Sequence, residues 1–217
     1  MVQTPLQLQK HGSGHLVRAT LYGNVIKPSL DQVVAALLLI ALMPVLVIVA
    51  CSVRARLGPG VIYRQRRIGK NERVFTMYKF RTMAPDRRLQ EAPFVGVDRR
   101  VGHKCDDDPR HTTLGRALRR WSLDEIPQLW NVMLGHMSLV GPRPELLDVV
   151  EKYDLWHHPR HLVRPGITGL FQISPDRAGL LHEHLDYDLD YVSHCGFRRD
   201  LQILLRTPRA VWARHGH

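Results

Sequence analysis

The chain has 217 residues, 44% of them hydrophobic, and a formal net charge of +11. That length and composition exclude a collagen-like, disulfide-stapled or wholly disordered chain and leave room for a real core. The positive excess calls for an anionic partner: nucleic acid, lipid headgroups or a phosphorylated substrate.

Three scattered cysteines, Cys51, Cys105 and Cys195, form no CxxC pair, which argues against a zinc ribbon and for a reducing compartment. Residues 1–26 are a polar lead-in, and no signal-peptide pattern opens the chain. Residues 33–53, VVAALLLIALMPVLVIVACSV, carry no charge. As one helix they would reach about 32 Å, enough for a hydrocarbon core of about 30 Å. Pro44 falls near the middle, removes a backbone donor and leaves two legs of about 14–16 Å, each too short to cross alone. Basic residues stand on both sides: Arg18 and Lys27 before the run, Arg54, Arg56, Arg64, Arg66, Arg67 and Lys70 after it. Cytoplasmic flanks carry the positive charge, so a hairpin that enters and leaves through one leaflet satisfies both. A straight, kinked span is the alternative.

Beyond Gly58-Pro59-Gly60, the β-like pieces 61–63 and 74–78 predict a hairpin turning at 69–71. Residues 84–113, rich in Asp, Arg, Pro and Gly, read as a long loop. Residues 114–134 have helical spacing, with Leu118, Trp121, Ile126, Leu129, Trp130 and Met133 recurring. Helical pieces are also expected over 145–156 and 181–192, with a loop starting at Arg164-Pro165-Gly166. Residues 200–212 form a basic amphipathic piece interrupted by Pro208, which suits either a membrane surface or core packing.

The sharpest chemical constellation is Ser122-Leu123-Asp124-Glu125. Its structural reading is a capping box, with Ser122 as N-cap and Glu125 three residues on. Pro127 sits poorly with that register, and a helix starting at Asp124 accommodates it better. The chemical reading is an ionised nucleophile. Arg116, Arg119 and Arg120 lie close in sequence and are expected to hold the Asp124 carboxyl low. Such a carboxylate can attack phosphorus, given cationic clamps and a magnesium ion. Lys79 and Arg81 alternate on one strand face, Arg143 is stiffened between two prolines, and Arg164-Pro165-Gly166 is of the same kind. Each of these also reads as an ordinary surface cation or a helix-end salt bridge.

Several templates fail: there is no GxxxxGK[ST], no GxSxG, and His182-Glu183-His184 has the wrong spacing for a helical zinc site. Asp106-Asp107-Asp108 lacks EF-hand spacing, and His157, His158 and His161 read as solvent-facing.

The segments YRQRRIG, FTMYKFRTM, LGRALRRWSLDEIPQLWNVMLGHMSLVGPRPEL and VRPGITGL, in that order, resemble the bacterial sugar transferases, the monotopic polyprenyl-phosphate phosphoglycosyl transferases. The resemblance covers residues 27–207 and looks like the minimal catalytic form. It implies a mainly α fold with small β elements. A re-entrant helix-break-helix over 27–56 would dip into the cytoplasmic leaflet of the bacterial inner membrane. A cytoplasmic globular domain over 57–217 would carry interfacial amphipathic helices. It implies transfer of a sugar-1-phosphate from a UDP-sugar to polyprenyl phosphate, with release of UMP. Asp124 would be the nucleophile and the magnesium ligand, and Glu125 would assist the acceptor. Lys79, Arg81, Arg119, Arg143 and Arg164 would bind substrate, and Pro44 would break the membrane helix. Downstream glycosyltransferases and a homodimer are the protein partners it brings to mind; nucleic acid is not among them. Met43 stands where many members have serine, and LFQISPDRAG departs from the usual residues after VRPGITG, leaving the sugar open. Two rival readings are a non-catalytic membrane adaptor and a DNA-binding helix-turn-helix over 114–134.

Overall fold

The computed structural model describes residues 21–84, 110–178 and 184–212. The N-terminal lead-in, most of the 84–113 loop, Cys105, Asp106-Asp107-Asp108 and His182-Glu183 lie outside these residues.

The apolar run is two helices in sequence. A π-helical turn over Tyr22–Ile26 leads into α1 (Lys27–Ala41), and α2 follows over Met43–Leu57. The interruption falls at Leu42 (φ −89°, ψ 4°), two residues before Pro44. The cause is still the proline: Pro44 has no N–H for the carbonyl one turn back, and it settles into the first turn of α2, where none is needed. At 1.5 Å per residue, α1 and α2 each reach only about 22 Å. The stretch Tyr22–Ala41, taken with its π-helical turn, is long and apolar enough to cross a membrane. Both helices expose large apolar side chains, among them Val33, Leu37, Ile40, Val47 and Ile48.

Strands β1 (Ile62–Ile68) and β2 (Val74–Phe80) pair antiparallel with Tyr63 opposite Lys79 and Arg67 opposite Phe75. The turn between them, Lys70–Glu72, places Asn71 at φ 54°. The expected hairpin is present, with longer strands than the β-like pieces alone indicated. Alternation along β2 puts Phe75 and Met77 into the main core and Phe80 into a second cluster with Leu118 and the α2 residues Val49 and Val53.

The helical spacing of 114–134 resolves into three pieces: α3 (Thr113–Arg120), a 3-10 turn (Leu123–Glu125) and α4 (Gln128–Met133). Thr112 caps α3, its hydroxyl accepting from the Gly115 amide at 2.9 Å. Ser122 adopts φ 54°, ψ 21° and its side chain makes no cap bond, so the capping-box reading is overturned. A left-handed residue cannot continue a helix, and Pro127 supplies no amide to bridge the gap.

Three-residue strands β3 (Ser138–Val140) and β4 (Gly166–Thr168) pair in parallel, where only a loop was expected after Arg164. A Cβ on Gly166 would lie 2.1 Å from the Gly141 nitrogen, so the two chains meet closer than any side chain allows. The 145–156 helix is reduced to α5 (Leu147–Val150), followed by a 3-10 segment over Leu155–Leu162. That segment buries His161, and burial pushes its imidazole pKa down to about 3; it is not the solvent-facing residue its sequence indicated. The order ends with α6 (Leu170–Ile173), α7 (Asp186–Ser193) and α8 (Phe197–Trp212), which runs unbroken through Pro208.

The main core joins Ala35 of α1, Leu129 and Val132 of α4, Val140 of β3, Tyr191 of α7 and Ile203 of α8. A buried polar knot closes one end of it. Lys27 Nζ donates to Asp200 Oδ2 at 2.6 Å and lies 3.3 Å from Asp31, while Ser138 Oγ donates to Asp31 at 2.5 Å. Tyr22 and Tyr191 hydroxyls donate to the two Asp200 oxygens at 2.6 and 2.7 Å.

Candidate active site

The left-handed Ser122 turns the chain so that Asp124 and Glu125 sit on a tight turn between α3 and α4. Asn131 of α4 then locks this region to β2. Its side-chain oxygen accepts from the Tyr78 amide at 3.0 Å and its amide nitrogen donates to the Thr76 carbonyl at 2.7 Å. The next strand residue is Lys79, whose Nζ donates to Glu125 Oε1 at 2.8 Å. Arg143 Nη1 stands 3.9 Å from the same oxygen. The cleft around this cluster is lined by Arg67, Lys79, Glu125, Gln128 and Arg143, with Met77, Pro144, Gly166 and Ile167 completing the wall.

Asp124 is buried. Its carboxyl is pushed above the ordinary carboxylate value, first by desolvation and then by the Glu125 charge; Lys79 and Arg119 oppose the shift. This corrects the expectation of a depressed value. Nearby cations were counted in the sequence, but the loss of water around the group outweighs them.

The Arg143 loop is held at consecutive backbone carbonyls. Gly166 N–H donates to Pro142 O at 2.8 Å, Arg160 Nη2 to Arg143 O at 2.6 Å, and Arg67 Nη1 to Pro144 O at 3.1 Å. Ile68 N–H adds a bond to Glu145 O at 3.0 Å. Arg160 is itself buried and paired with Asp188 at 2.6 Å, with its other terminal nitrogen on the Tyr153 hydroxyl. The two prolines were a sound sign of stiffness, but most of the restraint comes from these partners.

The structure therefore gathers Lys79, Glu125 and Arg143 at one cleft, with Asp124 beside them and Arg119 close enough to act on its charge. Arg81 and Arg164 are not on that wall. Arg81 follows the last residue of β2, and its guanidinium donates to the carbonyls of Leu57 and Gly58, closing the C-terminal end of α2. Arg164 Nη2 points toward Gly135, and its charge acts on Lys70. Arg67 and Gln128 were missed as lining residues. The signal for Arg67 is its alternation with Tyr63 along β1, which puts it on the same sheet face as Lys79 and Met77.

As for a metal, no group of three His, Cys, Asp or Glu occurs among the described residues. The donor set does fit magnesium in its common mode, held by one or two carboxylates together with substrate phosphates. Burial first, and then the Glu125 charge, disfavour an ionised Asp124, and a cation held there would offset both.

Comparison with known proteins adds the chemical context. The bacterial sugar transferase family pattern matches residues 22–214. The exopolysaccharide production protein ExoY of Sinorhizobium fredii is 40% identical over 200 residues, covering 89% of this chain and 88% of the relative. The undecaprenyl-phosphate galactose phosphotransferase of Salmonella typhimurium is 34% identical over 199 residues, covering 88% of this chain and 41% of that longer protein. The undecaprenyl-phosphate glucose phosphotransferase of Komagataeibacter xylinus is 36% identical over 201 residues, covering 87% of this chain and 36% of the relative. With a match of this extent across the carboxylate turn and its basic cleft, the chain belongs to the bacterial sugar transferase family.

Proposed function

We propose that this protein transfers a sugar-1-phosphate from a UDP-sugar to a polyprenyl phosphate, at the cytoplasmic face of the bacterial inner membrane, as the first membrane step of glycoconjugate assembly. The observation that carries the reading is the buried Asp124 next to Glu125, which itself lines a cleft supplied with Lys79, Arg67 and Arg143. Phosphate-binding cations facing a carboxylate pair suit phosphoryl chemistry and serve no purpose in a passive adaptor.

In the first step an Asp124 carboxylate oxygen attacks the β-phosphorus of the donor. The bond from that phosphorus to the bridging oxygen breaks, and UMP leaves with the electron pair. Arg143 and Lys79 stabilise the charge that accumulates on the phosphoryl oxygens. In the second step an oxygen of the polyprenyl phosphate attacks the same phosphorus, the Asp124–phosphorus bond breaks, and Glu125 accepts any proton carried by the acceptor phosphate. Asp124 and the donor's phosphates would hold a magnesium ion, which would supply positive charge to ease the approach of carboxylate to diphosphate.

Residues 27–56 serve as a re-entrant hairpin in one leaflet and residues 57–217 as the catalytic domain. The exposed apolar faces of α1 and α2 and the break at Leu42 support this arrangement. Labelling cysteines placed at positions 10 and 70 tests it, since opposite-side labelling refutes the hairpin. Two of the three named relatives are galactose and glucose phosphotransferases by name, so the donor sugar is to be found by a UMP-release screen over UDP-sugars. Asp124→Asn is expected to abolish UMP release while the protein stays membrane-bound. Undiminished turnover in that variant refutes the assignment of the nucleophile.

A further inference from the structure

A second cavity, of about 180 Å³, shares Glu125 and Ile167 with the phosphate cleft. Ile126 and Leu129 form one side of it and Ala210 and Val211 of α8 another. Two of its hydroxyls, those of Thr168 and Thr207, are spent. Thr207 Oγ1 donates to the Ile203 carbonyl at 2.8 Å, so at its 2.8 Å contact with Thr168 it accepts, and the Thr168 proton is used as well. The Gln172 carboxamide on the wall is buried without a hydrogen-bond partner, but Ile126, Leu129, Ile167, Ala210 and Val211 make most of the remaining lining, so a hexose, with a hydroxyl on almost every carbon, would recover only part of its hydration here, whereas a hydrocarbon has none of that kind to lose.

The cavity lies beside an aromatic pair. Trp121 precedes the lining residue Ser122, Trp212 follows the lining residue Val211, and the two indoles meet edge-to-face with centroids 6.1 Å apart. They are 48% and 69% exposed, and the outer stripe of α8 continues with exposed Leu201, Leu204 and Leu205. Exposed tryptophans beside an apolar helix stripe mark headgroup depth in a bilayer.

We propose that this cavity holds the isoprenoid stem of the lipid acceptor. The unit next to its phosphate enters beside Trp121 and Trp212, and the phosphate lies at Glu125. The assignment rests on the transferase reading above and adds the place where the acceptor's hydrocarbon is held. It separates the two substrates: the donor's charged groups occupy the Arg67–Lys79–Arg143 side of Glu125, and the acceptor's chain occupies the apolar side.

The test uses the full chain in phosphatidylethanolamine–phosphatidylglycerol nanodiscs and farnesyl phosphate carrying a diazirine on its first isoprene unit. Photolabelling read by mass spectrometry should place adducts within 126–129 and 207–211, with at least a tenfold loss in Ala210→Trp. In turnover assays Ala210→Trp should raise the acceptor KM at least tenfold, while the burst of UMP from donor alone stays within twofold. Val211→Asp serves the same purpose if the tryptophan variant does not fold. Adducts confined to α1 and α2, or an acceptor KM within twofold of wild type, overturn the assignment. So does a loss of donor affinity in Gln172→Ala with unchanged acceptor KM, because Gln172 is the amide on this wall that a sugar would use. If wild type labels the cavity but releases no UMP with any UDP-sugar, the transferase reading fails and the isoprenyl-phosphate site stands. If it releases UMP and leaves the cavity unlabelled, the site alone fails.

Discussion

Glu125 Oε1 lies 2.8 Å from Lys79 Nζ, and this contact ties the turn bearing both carboxylates to β2. It also sets the electrostatics of Asp124, which Glu125 pushes up and Lys79 pulls down. Removing either partner should therefore move the acid limb of the pH profile in opposite directions. Glu125→Gln lowers the pH at which the UMP burst falls off, and Lys79→Met raises it. Burst amplitude against pH with donor alone measures both, and movement in the same direction would contradict this account.

The raised Asp124 carboxyl also has a consequence for stability. Its folded pKa exceeds the ordinary 3.8, so the folded state binds the proton more tightly than the unfolded chain. Wild type then loses stability as pH rises from 3.8 through the folded value, and carries the full penalty above it. Asp124→Asn, which has no charge to bury, should melt at a higher temperature at pH 7. That advantage should shrink to nothing as pH falls toward 3.8. Thermal unfolding of the two proteins across pH 3.5–8 measures the difference.

Arg160 and Asp188 form a fully buried ion pair whose guanidinium also holds the carbonyl of Arg143. Removing one partner leaves an uncompensated buried charge, which costs about 3–5 kcal/mol. Asp188→Asn and Arg160→Met should both lower the unfolding free energy by that order. Of the two, Arg160→Met should lose more kcat/KM for the donor at matched stability, because it alone releases the Arg143 carbonyl. Chemical denaturation alongside donor kinetics separates these effects.

Gly166→Ala forces a methyl group to within 2.1 Å of the Gly141 nitrogen unless β3 and β4 part. Overpacking of this kind costs about 1–3 kcal/mol, and here it displaces the strand pair next to the Arg143 loop. A lower melting temperature together with a raised donor KM is expected.

Ile40 is 71% exposed near the end of α1. A lysine placed at the centre of a membrane helix costs about 2.5–3.5 kcal/mol for insertion. Ile40→Lys should shift the protein from the membrane pellet toward the supernatant in high salt, a condition that removes simple headgroup attraction. Retention equal to wild type would place this face outside the lipid.

Much of this organisation is legible in the sequence. Alternation in VFTMYKF and the turn residues before it give the β1–β2 hairpin, and the uncharged run with its proline gives the broken helix pair. The carboxylate turn is visible as a motif, yet its local form is not: helical spacing persists across Ser122 although the backbone reverses hand there. The β3–β4 pair is too short to show periodicity, and Gly166 explains itself only when Gly141 stands opposite. Arg160 looks like one more surface cation until its burial against Asp188 is seen. The direction of the Asp124 shift was unreadable for a related reason. Charge can be counted along a chain, but dehydration depends on what folds over it.

The Lys27–Asp200 contact joins side chains 173 positions apart, and the Tyr22 hydroxyl just ahead of α1 donates to the same carboxylate, so the first apolar helix and the last amphipathic one are tied together at Asp200. A chimera that takes its first two helices from a relative keeps this buried bond only where a cation at position 27 still meets an acid at position 200; otherwise α8 must come from the same parent, like the second half of a lock.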